Sequence, residues 1–165
     1  MPPHDSHAAQ IHNAVEIHTE ITVPSDRQKT WDLLVDLELQ PVWMKDALSI
    51  EKLTEGPVGV GTVMRVPTQI LFLRTTDRME VTEFELLSRW AVKHVGLVTG
   101  EGAFSLHDAP EGSGTIVHWH ERLSAPLGII GRFGMTLLRP VLRHQFHSDL
   151  VRFKKLCEAP TKSTR

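Results

Sequence analysis

One long amphipathic helix at the C-terminal end, preceded by a run of short strand-like segments, constrains the fold of this chain more than any other feature. Between residues 138 and 157, apolar side chains recur every three or four positions, which is the spacing of one helix face. This stripe comprises Leu138, Leu142, Phe146, Leu150, Phe153 and Cys157. The whole segment from residue 126 to residue 159 is predicted to be helical, but because Pro140 disfavours an α conformation at Arg139, we expect a kink or break there. The remaining helix, residues 140–158, would be about 28 Å long, enough to cross a small sheet.

Strand-like segments fill most of the chain before this helix. In residues 15–23 apolar and polar side chains alternate, so that Val15, Ile17 and Ile21 share one face while His18 and Glu20 share the other. Further strands are predicted at residues 47–53, from 62 towards 73, and at 77–85, 89–97, 100–107 and 115–123. Short turns rich in Gly, Pro and Asp separate them and favour an antiparallel meander.

Two short helical segments are predicted directly after the first strand. Pro24 or Ser25 can begin a helix that buries Trp31, Leu34 and Val35. A second helical turn is expected within residues 37–43. The fold class is therefore α+β.

The length of 165 residues suits one domain with a substantial core. Residues 1–13 are polar and without periodicity, so we predict a flexible tail there, a single domain over 14–158 and a short tail over 159–165. A single cysteine excludes an internal disulfide. No apolar run reaches the length of a membrane span, so a cytoplasmic location is expected.

The charge distribution does not indicate a nucleic-acid partner. The formal net charge is -2, although the chain from residue 132 onward carries eight Lys or Arg and two acidic residues. That basic region could favour an anionic surface or form a solvated helix face. The segment "GPVGVGT" lacks the third glycine of a dinucleotide fingerprint, and no cofactor is expected.

Several segments of the chain are similar to one known family. They are "ITVPSDRQKTWDLLVD", "PVWMKDALSIEKLTEGPVGVGT", "EVTEFE", "GSGTIVHW" and "LVRFKKLCE". Together with the order of strand, two short helices, six strands and long helix, they resemble the polyketide cyclase/dehydrase-like branch of the START-like (SRPBCC) superfamily. The resemblance implies a helix-grip fold, in which a curved antiparallel sheet of about seven strands wraps around the C-terminal helix. It also implies a cavity for an apolar ligand between sheet and helix.

The segment "TIVHWHERL" places two histidines on one face of a strand. Strand alternation predicts that Trp119 points inward and that His118 and His120 point outward. In the resembled fold the first and last strands pair, which would place His18 and Glu20 beside these histidines. A metal site would need a further acid on the same face, and Glu121 lies on the opposite one. We therefore predict a surface cluster and no metal.

Glu121 and His94 are candidate catalytic residues on the predicted inner faces of their strands. A carboxylate buried without a partner has a raised pKa and can serve as a general acid or base. Alternatively, Glu121 reaches water at a strand end or pairs with Arg132 or Arg65. A cavity His94 could abstract a proton from a polyketide-like substrate, or be a structural histidine bound to a neighbouring carbonyl. The sequence does not identify a partner for either residue.

Large and flexible apolar side chains are expected to line the cavity together with His94. The predicted ligand-binding residues are Trp43, Met64, Met79, His94, Phe104, Trp119, Met135, Leu138 and Leu142.

Three functions are compatible with the predicted cavity lining and the basic C-terminal region. The favoured one is binding of a hydrophobic small molecule such as a lipid, polyketide or isoprenoid. The second is a polyketide cyclase or dehydratase that uses His94 and Glu121. The third is a coenzyme Q-type carrier or interaction module, whose basic region 132–155 docks a membrane surface or a protein partner with Leu137, Leu138 and Leu142. Neither the ligand nor the oligomeric state follows from the sequence.

Overall fold

The computed structural model describes residues 14–70, 73–96, 98–124 and 128–160. The predicted tail 1–13 lies outside the described residues, as does most of the tail 159–165. The strands are β1 (Val15–Val23), β2 (Glu51–Lys52), β3 (Val63–Ile70), β4 (Leu73–Glu85), β5 (Arg89–Val95), β6 (Thr99–Asp108) and β7 (Thr115–Ser124). The helices are α1 (Arg27–Val35), α2 (Gln40–Trp43) and α3 (Gly128–Glu158), with a 3₁₀ turn at Pro110–Gly112.

The seven strands form one antiparallel sheet in the order β1-β7-β6-β5-β4-β3-β2. Strands that follow each other from β2 to β7 are neighbours in the sheet, and β1 closes the order by pairing with β7. With α3 packed on this sheet, the α+β helix-grip prediction is confirmed. The pairing of the first and last strands is confirmed as well, with His18 opposite His120 and Glu20 opposite His118.

Helix α1 begins later than the sequence indicated. Its N-cap is Asp26, whose carboxylate accepts a hydrogen bond of 2.8 Å from the Lys29 backbone N–H. A side-chain oxygen at this position satisfies a backbone donor that has no partner within the helix, which sets the start of the helix. Trp31 and Leu34 are buried as expected, and Val35 is half-buried.

The strand predicted over residues 47–53 is much shorter in the structure. Only Glu51 and Lys52 pair with β3, and Ala47 forms an isolated bridge to Thr68. Between these two points the Leu48 backbone N–H donates to the Pro67 carbonyl at 2.9 Å. Pro67 has no N–H to return a bond, so the ladder is interrupted there.

Helix α3 runs through Pro140 without ending, so the break expected at that residue is not found and the helix extends on both sides of it. Its 31 residues correspond to about 46 Å. Proline removes one helical hydrogen bond. However, Met135 before it and Leu142 after it are both buried, and packing of an apolar face supplies most of the stability of a helix in a protein.

The two halves of α3 have different surroundings. The C-terminal half packs into a dense core with Leu150 and Phe153 fully buried, and with Trp31 and Leu34 of α1 in the same core. The N-terminal half places Leu138 and Leu142 towards a cavity and leaves Leu137 exposed. The predicted docking set of Leu137, Leu138 and Leu142 therefore does not share a surface. Within the described residues, no helix is both long and apolar enough to span a lipid bilayer.

Candidate functional site

A cavity of about 300 Å³ lies between the concave face of the sheet and the N-terminal half of α3. Most of its wall is apolar, which suits a hydrophobic ligand. The structure places all but one of the predicted ligand-binding residues in this wall. They are Met64, Met79, His94, Phe104, Trp119, Met135, Leu138 and Leu142, and the candidate catalytic residue Glu121 lies among them.

Trp43 is the exception, because it does not reach the cavity surface. Its ring is fully buried in the layer behind the wall. The ring centroid lies 4.9 Å from that of Phe153, 6.0 Å from that of Phe104 and 6.2 Å from that of Trp119. Helix α2 thus directs this large side chain into the core, where it supports the aromatic part of the wall from behind.

Two glycines of β6 bring His94 and Glu121 together. His94 of β5 is opposite Gly100, and Glu121 of β7 is opposite Gly102. Strands β5 and β7 flank β6 and are therefore about 10 Å apart. Because neither glycine has a side chain, His94 and Glu121 can extend towards each other over β6, and His94 Nε2 lies 3.3 Å from Glu121 Oε2.

Glu121 is buried and is held by a second contact. The Trp119 Nε1–H donates to its Oε1 at 2.8 Å. The alternative interpretation, a strand end open to water or a pair with Arg65, is wrong, because Arg65 pairs with Glu51 instead. The side chain of Arg132 lies outside the described residues. Glu121 Oε2 and His94 Nε2 have no aligned hydrogen bond to any described residue despite their proximity.

The environment of His94 contains opposing influences on its pKa. Burial alone lowers the pKa of an imidazole, because it disfavours the charged form. The carboxylates of Glu121, Asp77 and Asp46 oppose this, and their combined effect raises the pKa of His94 above its ordinary value of 6.5. His94 can therefore carry a proton inside the cavity at near-neutral pH.

Two further carboxyl groups belong to the cavity wall, and the sequence analysis missed them. Asp46 follows α2, and burial, together with the nearby charge of Asp149, raises its pKa from 3.8 to about 7. Asp77 of β4 accepts a hydrogen bond from the Thr75 hydroxyl at 3.0 Å. The alternation Asp77, Met79, Val81 on β4 could have placed Asp77 on the inner face. We call Asp46, Asp77, His94 and Glu121 the inner polar cluster.

A different group of polar side chains lies on the outer face of the sheet, as predicted for the histidines of β7. His18 and His120 stack with ring centroids 4.1 Å apart and an interplanar angle of 6°. Glu16 Oε2 lies 3.7 Å from His18 Nε2 and 4.0 Å from His120 Nε2. We call Glu16, His18 and His120 the outer cluster.

The outer cluster has the ligand types of an open transition-metal site, with three ligand atoms within 4.8 Å of one another. The pattern along β7 alone suggested His118 with His120 as metal ligands, whereas the residue stacked on His120 is its cross-strand neighbour His18, which the predicted pairing of the first and last strands placed on this face. Tetrahedral ligands at about 2.1 Å from a metal are about 3.4 Å apart, so the side chains would have to move closer to bind one.

Comparison with known proteins places the chain in a described family. Residues 14–158 match the profile of the family described as polyketide cyclase/dehydrase and lipid transport. No curated protein sequence matches significantly.

Several solved structures share the fold. TTHA0849 from Thermus thermophilus is 20% identical, with a TM-score of 0.75 over 90% of this chain and 100% of that protein. The Zhui aromatase/cyclase from Streptomyces sp. R1128 is 13% identical, with a TM-score of 0.75 over 91% and 97% of the two chains. Ara h 8.0201 is 15% identical, with a TM-score of 0.63 over 89% and 99%. At these identities the likeness concerns the fold alone.

Proposed function

This chain belongs to the polyketide cyclase/dehydrase and lipid transport family, and we propose that it binds a hydrophobic small molecule between its sheet and α3. The observation that carries the proposal is the cavity itself, whose wall is mostly apolar and holds its ionisable groups in the inner polar cluster. An apolar wall lowers the free energy of a ligand by about 0.8 kcal/mol per buried CH₂ group. A lipid, polyketide or isoprenoid-like molecule has enough such groups to offset the cost of association.

A pair of neighbouring leucines on α3 allows a controlled test of this proposal. Leu138 lines the cavity, whereas Leu137 is exposed. We expect Leu138→Trp to fill part of the cavity and to weaken binding of the neutral dye Nile red at least ten-fold. Leu137→Trp adds the same ring outside the cavity and should leave the affinity unchanged. Equal affinities for both variants and the wild type would show that the dye does not enter this cavity, and would contradict the proposal.

Native mass spectrometry of protein purified from its own host provides the complementary measurement. A co-purified apolar molecule is expected on the wild type. Its absence from the Leu138→Trp variant would localise that molecule to the cavity.

A second candidate function, a polyketide cyclase or dehydratase, is favoured by the contact between His94 and Glu121. A protonated His94 can donate to a ligand carbonyl oxygen, while the Glu121 carboxylate accepts a proton from the adjacent carbon. The resulting enol carbon can then form a bond to a second carbonyl carbon of the same chain. The second carbonyl oxygen takes the proton held by Glu121, and the enol oxygen returns its proton to His94 and becomes a carbonyl again. Glu121 is buried and the His94 side chain is only 14% exposed, so both groups reach a ligand in the cavity with little competition from bulk water.

The two candidate functions separate in one set of variants. For an enzyme, His94→Gln and Glu121→Gln should each reduce turnover of a poly-β-ketone at least 100-fold while the affinity for the substrate changes less than ten-fold. Turnover that is equal in wild type and variants would leave binding without catalysis as the function.

A further inference from the structure

The inner polar cluster contains buried polar atoms that no described residue satisfies. They are Asp46 Oδ1 and Asp77 Oδ1, whereas His94 Nε2 and Glu121 Oε2 lie 3.3 Å from each other without an aligned hydrogen bond, and all four residues line the cavity. A buried polar atom without a partner costs about 1–3 kcal/mol, and native structures contain few of them. Two carboxyl oxygens without a described partner in one cavity indicate that a ligand group supplies the missing donors.

The cluster is richer in acceptors than in donors. Three of its four side chains are carboxyls, and Asp46 interacts electrostatically with both Glu121 and His94. Of the other polar side chains in the described wall, the Thr68 and Thr75 hydroxyls and the Gln40 amide already donate to protein oxygens. Trp90 Nε1 is a buried donor that has no partner among the residues the structure describes. No Lys or Arg is among the described residues of the wall.

Two glycines leave room for two of the carboxyl groups of the cluster. A Cβ atom at Gly102 would lie 2.7 Å from Glu121 Cδ, and one at Gly96 would lie 3.2 Å from Asp77 Cγ. Both distances are too short for non-bonded carbon atoms, so both carboxyl groups lie in space that a larger residue would occupy. The carboxyl groups of Asp77 and Glu121 thus extend over these glycines, and both residues line the same cavity.

From these observations we infer that the ligand is an amphiphile whose polar end is a hydrogen-bond donor, preferably a protonated amine. This inference rests on the binding function proposed above. An ammonium group offers three donors and a positive charge to a cluster in which carboxyls outnumber cationic groups. A hydroxyl group offers one donor and no charge. A carboxylate would bring a negative charge into a buried site that already holds three carboxyl groups, which is unfavourable.

Three ligands with the same ten-carbon chain test the inference: decylamine, decanol and decanoate. Each is titrated at pH 7, below its micellar concentration, while the fluorescence of the wall tryptophans or the heat of binding is recorded. We expect decylamine to bind at least ten-fold more tightly than decanol, and decanoate to bind most weakly. Equal affinities, or tightest binding of decanoate, would overturn the inference.

Two substitutions on β4 test whether the preference for decylamine over decanol arises from the inner polar cluster. Asp77→Asn removes one acceptor charge from the cluster and should reduce the ratio of decylamine to decanol affinity at least five-fold. Glu80→Gln removes the same charge from the exposed face of the same strand and should leave this ratio unchanged. An unchanged ratio in both variants would mean that the cluster does not contact the amine, and would also overturn the inference.

Nile red separates failure of this inference from failure of the proposed function. If Nile red binds in a manner sensitive to Leu138→Trp but none of the three ten-carbon ligands binds, the head-group inference is wrong and the binding function stands. If Nile red does not bind either, both are wrong.

Discussion

The two faces of the sheet carry the same residue types and use them differently. On the inner face His94 and Glu121 are only 14% and 7% exposed and lie 3.3 Å apart. On the outer face His18 and Glu16 are 64% and 54% exposed and lie 3.7 Å apart. His120 and Glu121 are adjacent in sequence, yet they belong to opposite faces. The comparison shows that burial, more than residue type, decides what a His–Glu pair can do.

The direction of the histidine pKa shifts reflects this difference. In the outer cluster, burial and then the neighbouring His18 lower the pKa of His120, and Glu16 only partly offsets them. In the inner polar cluster, burial lowers the pKa of His94, but three carboxylates together outweigh it. Near neutral pH the inner histidine therefore retains its proton more strongly than the outer one.

The largest expected difference in stability is between variants that remove the carboxylate of the inner His–Glu pair and the carboxylate of the outer pair. Glu121→Gln leaves the proton of His94 without its closest counter-charge, and we expect the free energy of unfolding to fall by about 3 kcal/mol at pH 6. Glu16→Gln on the outer face should cost less than about 0.5 kcal/mol, because water solvates the exposed partner. Urea unfolding of both variants measures the contrast, and similar losses would show that burial does not separate the two pairs.

The pH dependence of stability should differ in sign between the two faces. Asp46 keeps its proton to about pH 7 in the folded protein, whereas an unfolded chain releases it near pH 3.8. Between these two pH values the Asp46 carboxyl group is protonated in the folded state but not in the unfolded state. The contribution of Asp46 to the free energy of unfolding therefore decreases as the pH rises. The raised pKa of His94 extends the decrease above pH 6.5. The lowered pKa of His120 acts oppositely, because its contribution decreases as the pH falls below 6.5.

The substitution Asp46→Asn tests the pH dependence of stability predicted for the inner face of the sheet. The difference in unfolding free energy between wild type and variant should change by about 2 kcal/mol from pH 4 to pH 7, less than the full shift implies because Asp46 is partly exposed. The exposed Glu55→Gln should show no such trend. A difference independent of pH in the Asp46 variant would exclude Asp46 as the titrating group.

A smaller effect is expected from closing the gap over β6. In Gly102→Ala the new Cβ displaces the Glu121 carboxyl group, which should lower the pKa of His94 and reduce the unfolding free energy by about 1 kcal/mol. Gly59→Ala is the matched control, because a Cβ there meets no atom within 4 Å. Imidazole resonances followed by NMR during a pH titration report the pKa directly. An unchanged titration of His94 in Gly102→Ala would contradict the role given to the glycine.

The smallest effect is expected at the exposed pair of Glu20 and His118, which are 3.0 Å apart. Glu20→Gln should change the unfolding free energy by about 0.2–0.5 kcal/mol at pH 6, and the change should vanish in about 1 M salt. A larger or salt-independent change would mean that this outer pair is less solvated than its exposure indicates.

Most of the fold could be predicted from local pattern. Alternation along residues 15–23 and 115–123 correctly assigned inward and outward side chains, because a strand that covers a core must be apolar on one face. Helix α3 is the principal exception, because packing of Met135 and Leu142 on both sides of Pro140 keeps the helix continuous where the local pattern predicts a kink or break. Trp43 was another, because hydrophobicity indicates burial but does not distinguish a cavity wall from the layer behind it.

The site could be predicted only as separate residues. His94 and Glu121 were identified by their faces, but their contact depends on Gly100 and Gly102 lying between them in the sheet. That arrangement needs the register of three strands, which no single segment specifies. Asp46 was missed for a related reason, since it follows α2 and reaches the cavity only through the path of the chain around the sheet.

The amino-acid sequence by itself determined the order of elements, the face of each side chain on the central strands and the family, because periodicity and short motifs are local properties. The tertiary structure alone decided that His94 meets Glu121, that Asp46 and Asp77 join them and that the stacked partner of His120 is His18. These are contacts between residues distant in the chain. Their energies depend on the separation and burial that only the assembled sheet and helix provide.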